Sequence, residues 1–470
     1  MFTRLLHTAR TRWNRPGGYG EALAIGLPLV ASMASSTVMQ FTDRLFLSHY
    51  SVQAISAALP ATLTSLLFML TFMGISGYAG VFIAQYVGAG RPHRVGAALW
   101  QSLWCSLVFG LLLGGISFFA DALFDLAGHA LELRELEVCY FTILSWGGGL
   151  VLLGNSLGCF FSGRGQTRPV MVANVVGAVI NVPLDYALIN GHWGLPEMGI
   201  AGAGIATVIG GGITFVLLAC LTFRREHERC YRVLSAWRIE WALMVRMLRY
   251  GVPSGVNYFM ELFAVTWFVF QVGTLGETAL AATNIAFSIN TVAFLPTIGL
   301  NIAAATMVGH AMGSGKPDDA ASAAWSCLHI AMAWMLMLAL LFFFVPGPLI
   351  ELFRTSGEGD AYGPIRDQTV LLLRFVMFYC LFDSFTVVFS GALKGAGDTA
   401  FVMWNMTLGC LLGLLLPAYV AKHLGWWSLE TLWIIFTGYV VLLAAASAIR
   451  FHRGRWRTMR LLERKPVVPE

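Results

Sequence analysis

Twelve apolar runs of about 18 to 25 residues divide this chain, each long enough to cross a bilayer core of about 30 Å as a helix. They lie at about 22–47, 54–80, 97–120, 139–161, 170–190, 200–222, 247–271, 279–309, 323–345, 369–391, 402–421 and 432–450. In lipid every backbone N–H and C=O must find its partner within the protein, so such runs become helices or the strands of a closed barrel. The two-residue alternation of barrel strands is absent here, so the fold class expected is all-α and polytopic. Composition agrees. Hydrophobic residues make up 57% of the chain and charged ones only 12%, too few to clothe a soluble body of this size.

Charge placement sets the orientation. With each Lys and Arg assigned to the nearest segment between runs, 24 fall on the side of the N-terminal tail and 6 on the other. Positive charge marks the cytoplasmic side, so both termini and the Arg-rich segment with Arg224, Arg225, Arg229, Arg232 and Arg238 are expected there. The formal net charge of +5 is therefore a topology signal. Nucleic acid is not an expected partner, because no loop is long enough to present a soluble basic domain. The first residues carry no apolar core and no small-residue cleavage site, so no secretory signal is read there. A short interfacial helix with Phe2, Leu5, Leu6 and Trp13 is expected instead. The 8 cysteines show no metal spacing and read as small apolar fillers.

The chain repeats itself. Gly88, Gly90, Pro92, Ala98, Trp100 and Leu103 recur as Gly313, Gly315, Pro317, Ala323, Trp325 and Leu328, an offset of 225. The same offset of 225 pairs Gly26 and Pro28 with Gly251 and Pro253. "GRGQT" from Gly163 resembles "GAGDT" from Gly395 at an offset of 232. An even number of crossings returns the chain to its starting side, so two six-helix lobes should repeat in parallel about an axis along the membrane normal. Residues 1–222 form the expected N-terminal lobe, 223–245 a cytoplasmic linker and 246–470 the C-terminal lobe. "GAGRP" and "GSGKP" lack phosphate-loop spacing and read as helix stops, glycine ending one helix and proline opening the next. The small residues of "GIAGAGIAT" from Gly199 permit close helix packing.

Against this apolar background, "INVPLDY" at residues 180 to 186 stands out. An acid at mid-helix costs roughly 2.5 to 3.5 kcal/mol on insertion scales, so such residues are candidate sites. Four carboxylates fall within the runs: Asp43, Asp185, Glu261 and Asp383. No lysine lies inside a run to neutralise them, and Arg44 and Arg374 stand nearer helix ends. By helical rise Asp43 lies roughly 30 Å and Asp185 roughly 22 Å from the inner end. Asn181 and Asp185 share one helix face. Pro183 between them removes a backbone N–H, which predicts a kink that turns the amide and the carboxylate towards a wet pocket, with Thr207 as neighbour. Pro28 and Pro253 are candidate bends for the same reason. In the other lobe Tyr379 and Asp383 share a face, at a depth like that of Glu261, and form a second candidate cation site with a ring for cation–π attraction. The histidines show no metal-ligand spacing, and no catalytic triad or paired-acid arrangement is present.

These residues resemble the multidrug and toxic compound extrusion (MATE) family over essentially the whole chain. "GLPLVASMASSTVMQFTDRLFLS", carrying Pro28 and Asp43, is similar to that family's first helix. "NVPLD" and "GIAGAGIAT" are similar to its fifth and sixth. The resemblance implies twelve spans in two pseudo-symmetric lobes forming a V, exchanging organic cations for Na⁺ or H⁺. It implies an N-lobe ion site at Asp43, Asn181, Asp185 and Thr207. "FMELFAV" and "YCLFD" resemble the NorM-type branch, implying a C-lobe cation site at Glu261, Tyr379 and Asp383. The chain carries both sets.

The expected function is a secondary active exporter of the inner cell membrane, moving amphipathic, cationic organic compounds outward against an inward cation. It is expected to act as a monomer, without a cofactor and without a metal beyond Na⁺. An ion gradient is the expected energy source, since no ATP motif is present. Two alternatives stand beside it. A lipid-linked oligosaccharide flippase would carry cationic residues within its cavity. A membrane-embedded lipid-modifying enzyme would need a catalytic cluster near one surface.

Overall fold

The computed structural model describes residues 12–125, 130–351, 353 and 362–463. The interfacial helix expected around Phe2, Leu5 and Leu6 lies outside them. Twelve helices are long and apolar enough to cross a membrane. They are α1 (Tyr19–Tyr50), α2 (Val52–Gly88), α3 (Pro92–Asp125), α4 (Leu131–Ser162), α5 (Arg168–Asn190) and α6 (Gly199–Thr222). After a linker follow α7 (Trp241–Gly273), α8 (Glu277–Gly313), α9 (Pro317–Phe344), α10 (Tyr362–Ala396), α11 (Thr399–His423) and α12 (Leu429–His452). Each expected run falls inside one of them, save that the ninth, 323–345, ends one residue past Phe344, and no strand occurs among the described residues. The helices outlast the apolar runs because polar residues at their ends still continue the i→i−4 ladder. Pro28, Pro183 and Pro253 all lie inside helices that run on past them. The lost N–H is tolerated where neighbouring helices surround the backbone.

Two compact units are bounded differently from the lobes read in the sequence. One comprises Leu27–Phe259; the other combines Met1–Gly26 with Met260–Glu470. Small residues explain the bounds. In the first unit, a Cβ on Gly251 or Gly255 of α7 would run into the α2 backbone at Ile75 or Thr71. In the second, Gly26 of α1 packs on Gly299 and Leu300 of α8. Adding 225 to Ile75 gives Leu300, so the two contacts are images of one another under the repeat. The core of the first unit includes Leu47, Phe124, Phe141 and Ile189. That of the second is built around Phe268, Leu372, Trp433 and Phe436.

The repeat extends to single hydrogen bonds. Arg91 N donates to Tyr86 O at 2.9 Å, and Lys316 N to Ala311 O at 2.9 Å. Gly90 and Gly315 hold φ of 67° and 74°, which an L side chain rarely adopts. At the other offset, Gln166 N donates to Phe161 O at 2.9 Å and Asp398 N to Leu393 O at 2.8 Å. The helix stops inferred from "GAGRP" and "GSGKP" are thus one turn built twice.

The linker is fastened down. It contains a short helix, Arg225–Tyr231. The indoles of Trp100 and Trp104 donate to Val233 O at 2.6 Å and Trp237 O at 3.0 Å. Gln101 bonds Arg238 O and Glu240 N, each at 3.1 Å. Arg94 grips Glu240 bidentately at 3.0 and 2.8 Å. The Arg164 guanidinium lies over the rings of Tyr231 at 4.3 Å and Phe160 at 4.5 Å. Its Nη1 comes within 3.4 Å of His227 Nε2. Burial pushes the His227 imidazole below its ordinary 6.5, a hydrogen bond to Thr222 O opposes this, and the Arg164 charge adds to the push.

Candidate functional site

In the first unit four elements converge. α1 supplies Asp43, α4 Tyr140, α5 Asn181 and Asp185, and α6 Thr207. What lets α6 approach α5 is a glycine pair. A Cβ on Gly177 would meet Gly210 O at 2.8 Å and collide with Thr214 Oγ1, while one on Gly210 would press on Asn181 Cβ at 3.1 Å. The small residues in "GIAGAGIAT" are therefore used as expected: Gly202 closes on Leu188 and Gly204 on Tyr140 and Ile143.

Thr207 Oγ1 lies 3.1 Å from Asp43 Oδ2 and 3.0 Å from Ala203 O. One hydroxyl carries one proton, so it donates to only one of these oxygens at a time. The Asp43 and Asp185 carboxyls face each other within hydrogen-bonding reach. Two ionised carboxylates are both acceptors, and indeed Asp43 Oδ1 and both oxygens of Asp185 lack a donor. The oxygen and nitrogen of the Asn181 amide lack partners as well. Five polar atoms without partners in one place are exceptional for a protein interior. Two buried carboxylates this close do not both stay charged without a proton or a cation between them. The oxygens of Asp43, Asp185, Asn181 and Thr207 form a hard donor set that suits either.

The wet pocket expected beside Pro183 is not where these groups lie. Asn181 and Asp185 are both 0% exposed, enclosed by α1, α4 and α6, and α5 continues through the proline. Close glycine packing between α5 and α6 brings the polar face inside.

In the second unit Glu261 of α7 and Asp383 of α10 come within electrostatic range of each other. Tyr379 is 3% exposed, packs edge-on against Phe436 at 5.7 Å and is within reach of the Asp383 charge. The ring is thus part of the aromatic core formed with Phe268, Phe287, Trp433 and Phe436. Next to the tyrosine in the chain, Cys380 Sγ donates to Asn290 Oδ1 of α8 at 3.2 Å.

Three residues were missed from sequence. Tyr140 is buried beside Asp43 and Asp185, and Tyr439 of α12 beside Glu261 and Asp383. A tyrosine in an apolar run gives no signal of its neighbours. The third is Lys394. The tenth run closes at residue 391, yet α10 continues to Ala396, so Lys394 lies inside the helix, buried and within reach of the Glu261 charge. The expectation that no lysine opposes the acids is overturned by these extra helical residues. Among the described residues no group of three or more His, Cys, Asp or Glu is arranged to hold a metal ion. All eight cysteines are free.

Comparison with known proteins places the chain in a family. The family model described as MatE matches residues 28–187 and 253–419. "Multidrug resistance protein PmpM" of Pseudomonas aeruginosa is 28% identical over 461 residues, covering 94% of each chain. "Probable multidrug resistance protein NorM" of Xanthomonas campestris is 28% identical over 443 residues, with 93% of this chain and 94% of that one covered. Among solved structures, the outward-facing conformation of a multidrug resistance MATE family transporter superposes with a TM-score of 0.84 at 21% identity, covering 93% of this chain and 95% of the other. A MOP superfamily transporter from Pyrococcus furiosus gives 0.82 at 20% identity, covering 93% and 95%.

Proposed function

The chain belongs to the MatE family, and from that membership we propose that it is a secondary active multidrug exporter, exchanging inward Na⁺ or H⁺ for outward movement of amphipathic organic cations. The relatives' names, multidrug resistance proteins, support the substrate class. One observation carries the coupling: the carboxylates of Asp43 and Asp185 meet inside a helical unit, with the Asn181 amide beside them unpartnered. A buried pair of this kind is neutral enough to persist only when it shares a proton or a cation. Asp43, Asn181, Asp185 and Thr207 are the proposed coupling residues. Glu261, Tyr379 and Asp383 form a second proposed site. A cationic substrate competes with the coupling ion for the same negative charge, and that competition links the two fluxes.

The transporter is read as multi-pass in the cell inner membrane with both termini cytoplasmic, on the strength of 24 basic residues on one side against 6 on the other. No cofactor is needed; each charge crossing 100 mV supplies about 2.3 kcal/mol. The test is transport of ethidium by the purified chain in liposomes, with Na⁺ and H⁺ gradients imposed separately. Efflux driven by either gradient alone, in the absence of ATP, supports the reading. An ethidium flux that ignores both gradients would falsify it.

A further inference from the structure

The last span does not simply run out into water. α12 ends at His452, Gly454 turns left-handed at φ 70°, and Arg455–Thr458 form one 3₁₀ turn. Trp456 folds back on the helix and is buried. Its ring stacks on Phe451 at 5.0 Å, and its indole donates to Phe451 O at 2.9 Å. Phe451 in turn stacks on Phe389 of α10 at 4.5 Å, and Leu461 is buried as well. A segment pinned in this way presents its arginines at fixed places. Arg453, Arg455, Arg457 and Arg460 are all exposed.

The same segment occurs earlier in the chain with a different charge. At the offset of 225, Arg450, His452, Trp456 and Arg457 match Arg225, His227, Tyr231 and Arg232 of the linker. Where the linker has Glu226, Glu228 and Cys230, the copy after α12 has Phe451, Arg453 and Arg455. The linker uses its acids internally: Glu228 accepts from Leu234 N and Ser235 N, and Glu240 holds Arg94. The copy after α12 has exchanged such acids for arginine, and its excess positive charge points outward.

A second basic element lies beside it. A Cβ on Gly17 would come within 3.2 Å of Asp319 O in the first turn of α9. Arg457 reaches Asp318 Oδ1 of that same turn at 2.9 Å. The segment before α1 and the segment after α12 therefore flank one helix end. Just ahead of Gly17 stand Arg12, Trp13 and Arg15, with Trp13 51% exposed. Successive spans alternate in direction, so the start of α1, the start of α9 and the end of α12 share one face of the bilayer. Exposed tryptophan and arginine at such a level belong among lipid headgroups.

We propose that this patch binds the headgroups of anionic phospholipids, with Arg453, Arg455 and Arg460 holding the phosphates and Trp13 seated at the headgroup level. The patch lies at the helix ends, where headgroups already stand, and this favours lipid over a soluble acidic partner. Which leaflet it meets rests on the orientation proposed above; the contact itself does not.

The test is native mass spectrometry of the full-length purified protein in neutral detergent, titrated with phosphatidylglycerol or with zwitterionic phosphatidylcholine. Wild type should hold phosphatidylglycerol at least about tenfold more tightly than phosphatidylcholine. In Arg453→Gln/Arg455→Gln/Arg460→Gln the affinity for phosphatidylglycerol should fall by about tenfold or more, with phosphatidylcholine binding unchanged. The matched linker variant Arg224→Gln/Arg225→Gln/Arg229→Gln loses the same charge and should bind phosphatidylglycerol like wild type. Equal loss in the two variants would mean that net charge alone is read, and overturns the site. Wild-type phosphatidylglycerol binding in the tail variant overturns it too. Should the tail variant fold poorly, wild type decides. Raising the ammonium acetate concentration should weaken phosphatidylglycerol binding steeply and leave phosphatidylcholine alone, and salt-independent binding overturns the proposal. Wild type that takes polyglutamate or RNA in preference to phosphatidylglycerol overturns it in favour of a soluble acidic partner.

Discussion

Thr207 Oγ1 stands 3.1 Å from Asp43 Oδ2 and 3.0 Å from Ala203 O, tying α6 to α1 through a single shared proton. An ionised Asp43 would draw that hydroxyl, and a carboxylate holding a proton or cation would release it to its own helix. A two-position donor of this sort registers the state of the site.

Replacing that hydroxyl by an isosteric methyl should therefore weaken the site without emptying it. Thr207→Val is expected to cost about 1.5 kcal/mol of cation binding, roughly a tenfold rise in the half-saturating coupling ion, at near-normal folded yield. Asp185→Asn removes one of the two facing carboxylates and should lower gradient-driven efflux more than tenfold. Efflux per folded transporter in liposomes measures both. Wild-type rates and ion dependence in Asp185→Asn would remove the first-unit site from the mechanism.

The second unit predicts a milder outcome. Glu261→Gln and Asp383→Asn should each reduce efflux by roughly threefold to tenfold and leave part of it coupled, because the first-unit carboxylates remain. The same liposome assay at two pH values, with and without Na⁺, reads this out. Full abolition by Asp383→Asn would mean that one site alone carries coupling.

Packing in the first unit hangs on a position with no room for a methyl group. A Cβ at Gly177 would meet the Gly210 carbonyl and the Thr214 hydroxyl, itself bonded to Ala173 O at 3.2 Å. Gly177→Ala should cost about 1–3 kcal/mol. It should also lower coupled efflux, because separating α5 from α6 carries Asn181 away from Thr207. A thermal unfolding midpoint unchanged by Gly177→Ala would contradict the close approach.

Outside the membrane, the linker is expected to respond to pH. His227 is held below its ordinary 6.5 by burial first, with the Arg164 charge adding to it, and its other neighbours are Glu226 and Tyr231. A base with a depressed folded value takes up its proton mainly on undocking. The docking contribution is therefore complete above pH 6.5 and is lost as pH falls below it. A spin label on Cys230, with the other cysteines replaced, should become more mobile between about pH 7.5 and 5. In His227→Phe the response should vanish.

Much of this protein was determined by sequence alone, and the reason is the solvent. In a bilayer, length and apolarity suffice to specify a helix, since no other open backbone arrangement satisfies its own hydrogen bonds. Twelve spans, a parallel repeat and four costly acids follow from local composition and spacing. Even the turn after Val87 was legible, because Gly90 and Gly315 sit where only a left-handed residue fits. Tertiary structure decided the rest, since partnership depends on which faces meet. Asp43 and Asp185 lie far apart along the chain, and nothing in either run says that they would face each other. The burial of Asn181 and Asp185 was likewise not legible, because it depends on the glycine contacts that bring α6 against α5. Lys394 lies beyond the tenth apolar run, and only the last turn of α10, packed on α8 at Gly391 and Gly395, buries it. A hydropathy run reports what each residue prefers, whereas burial of a charge is decided by neighbours that compensate it, and those come from other helices.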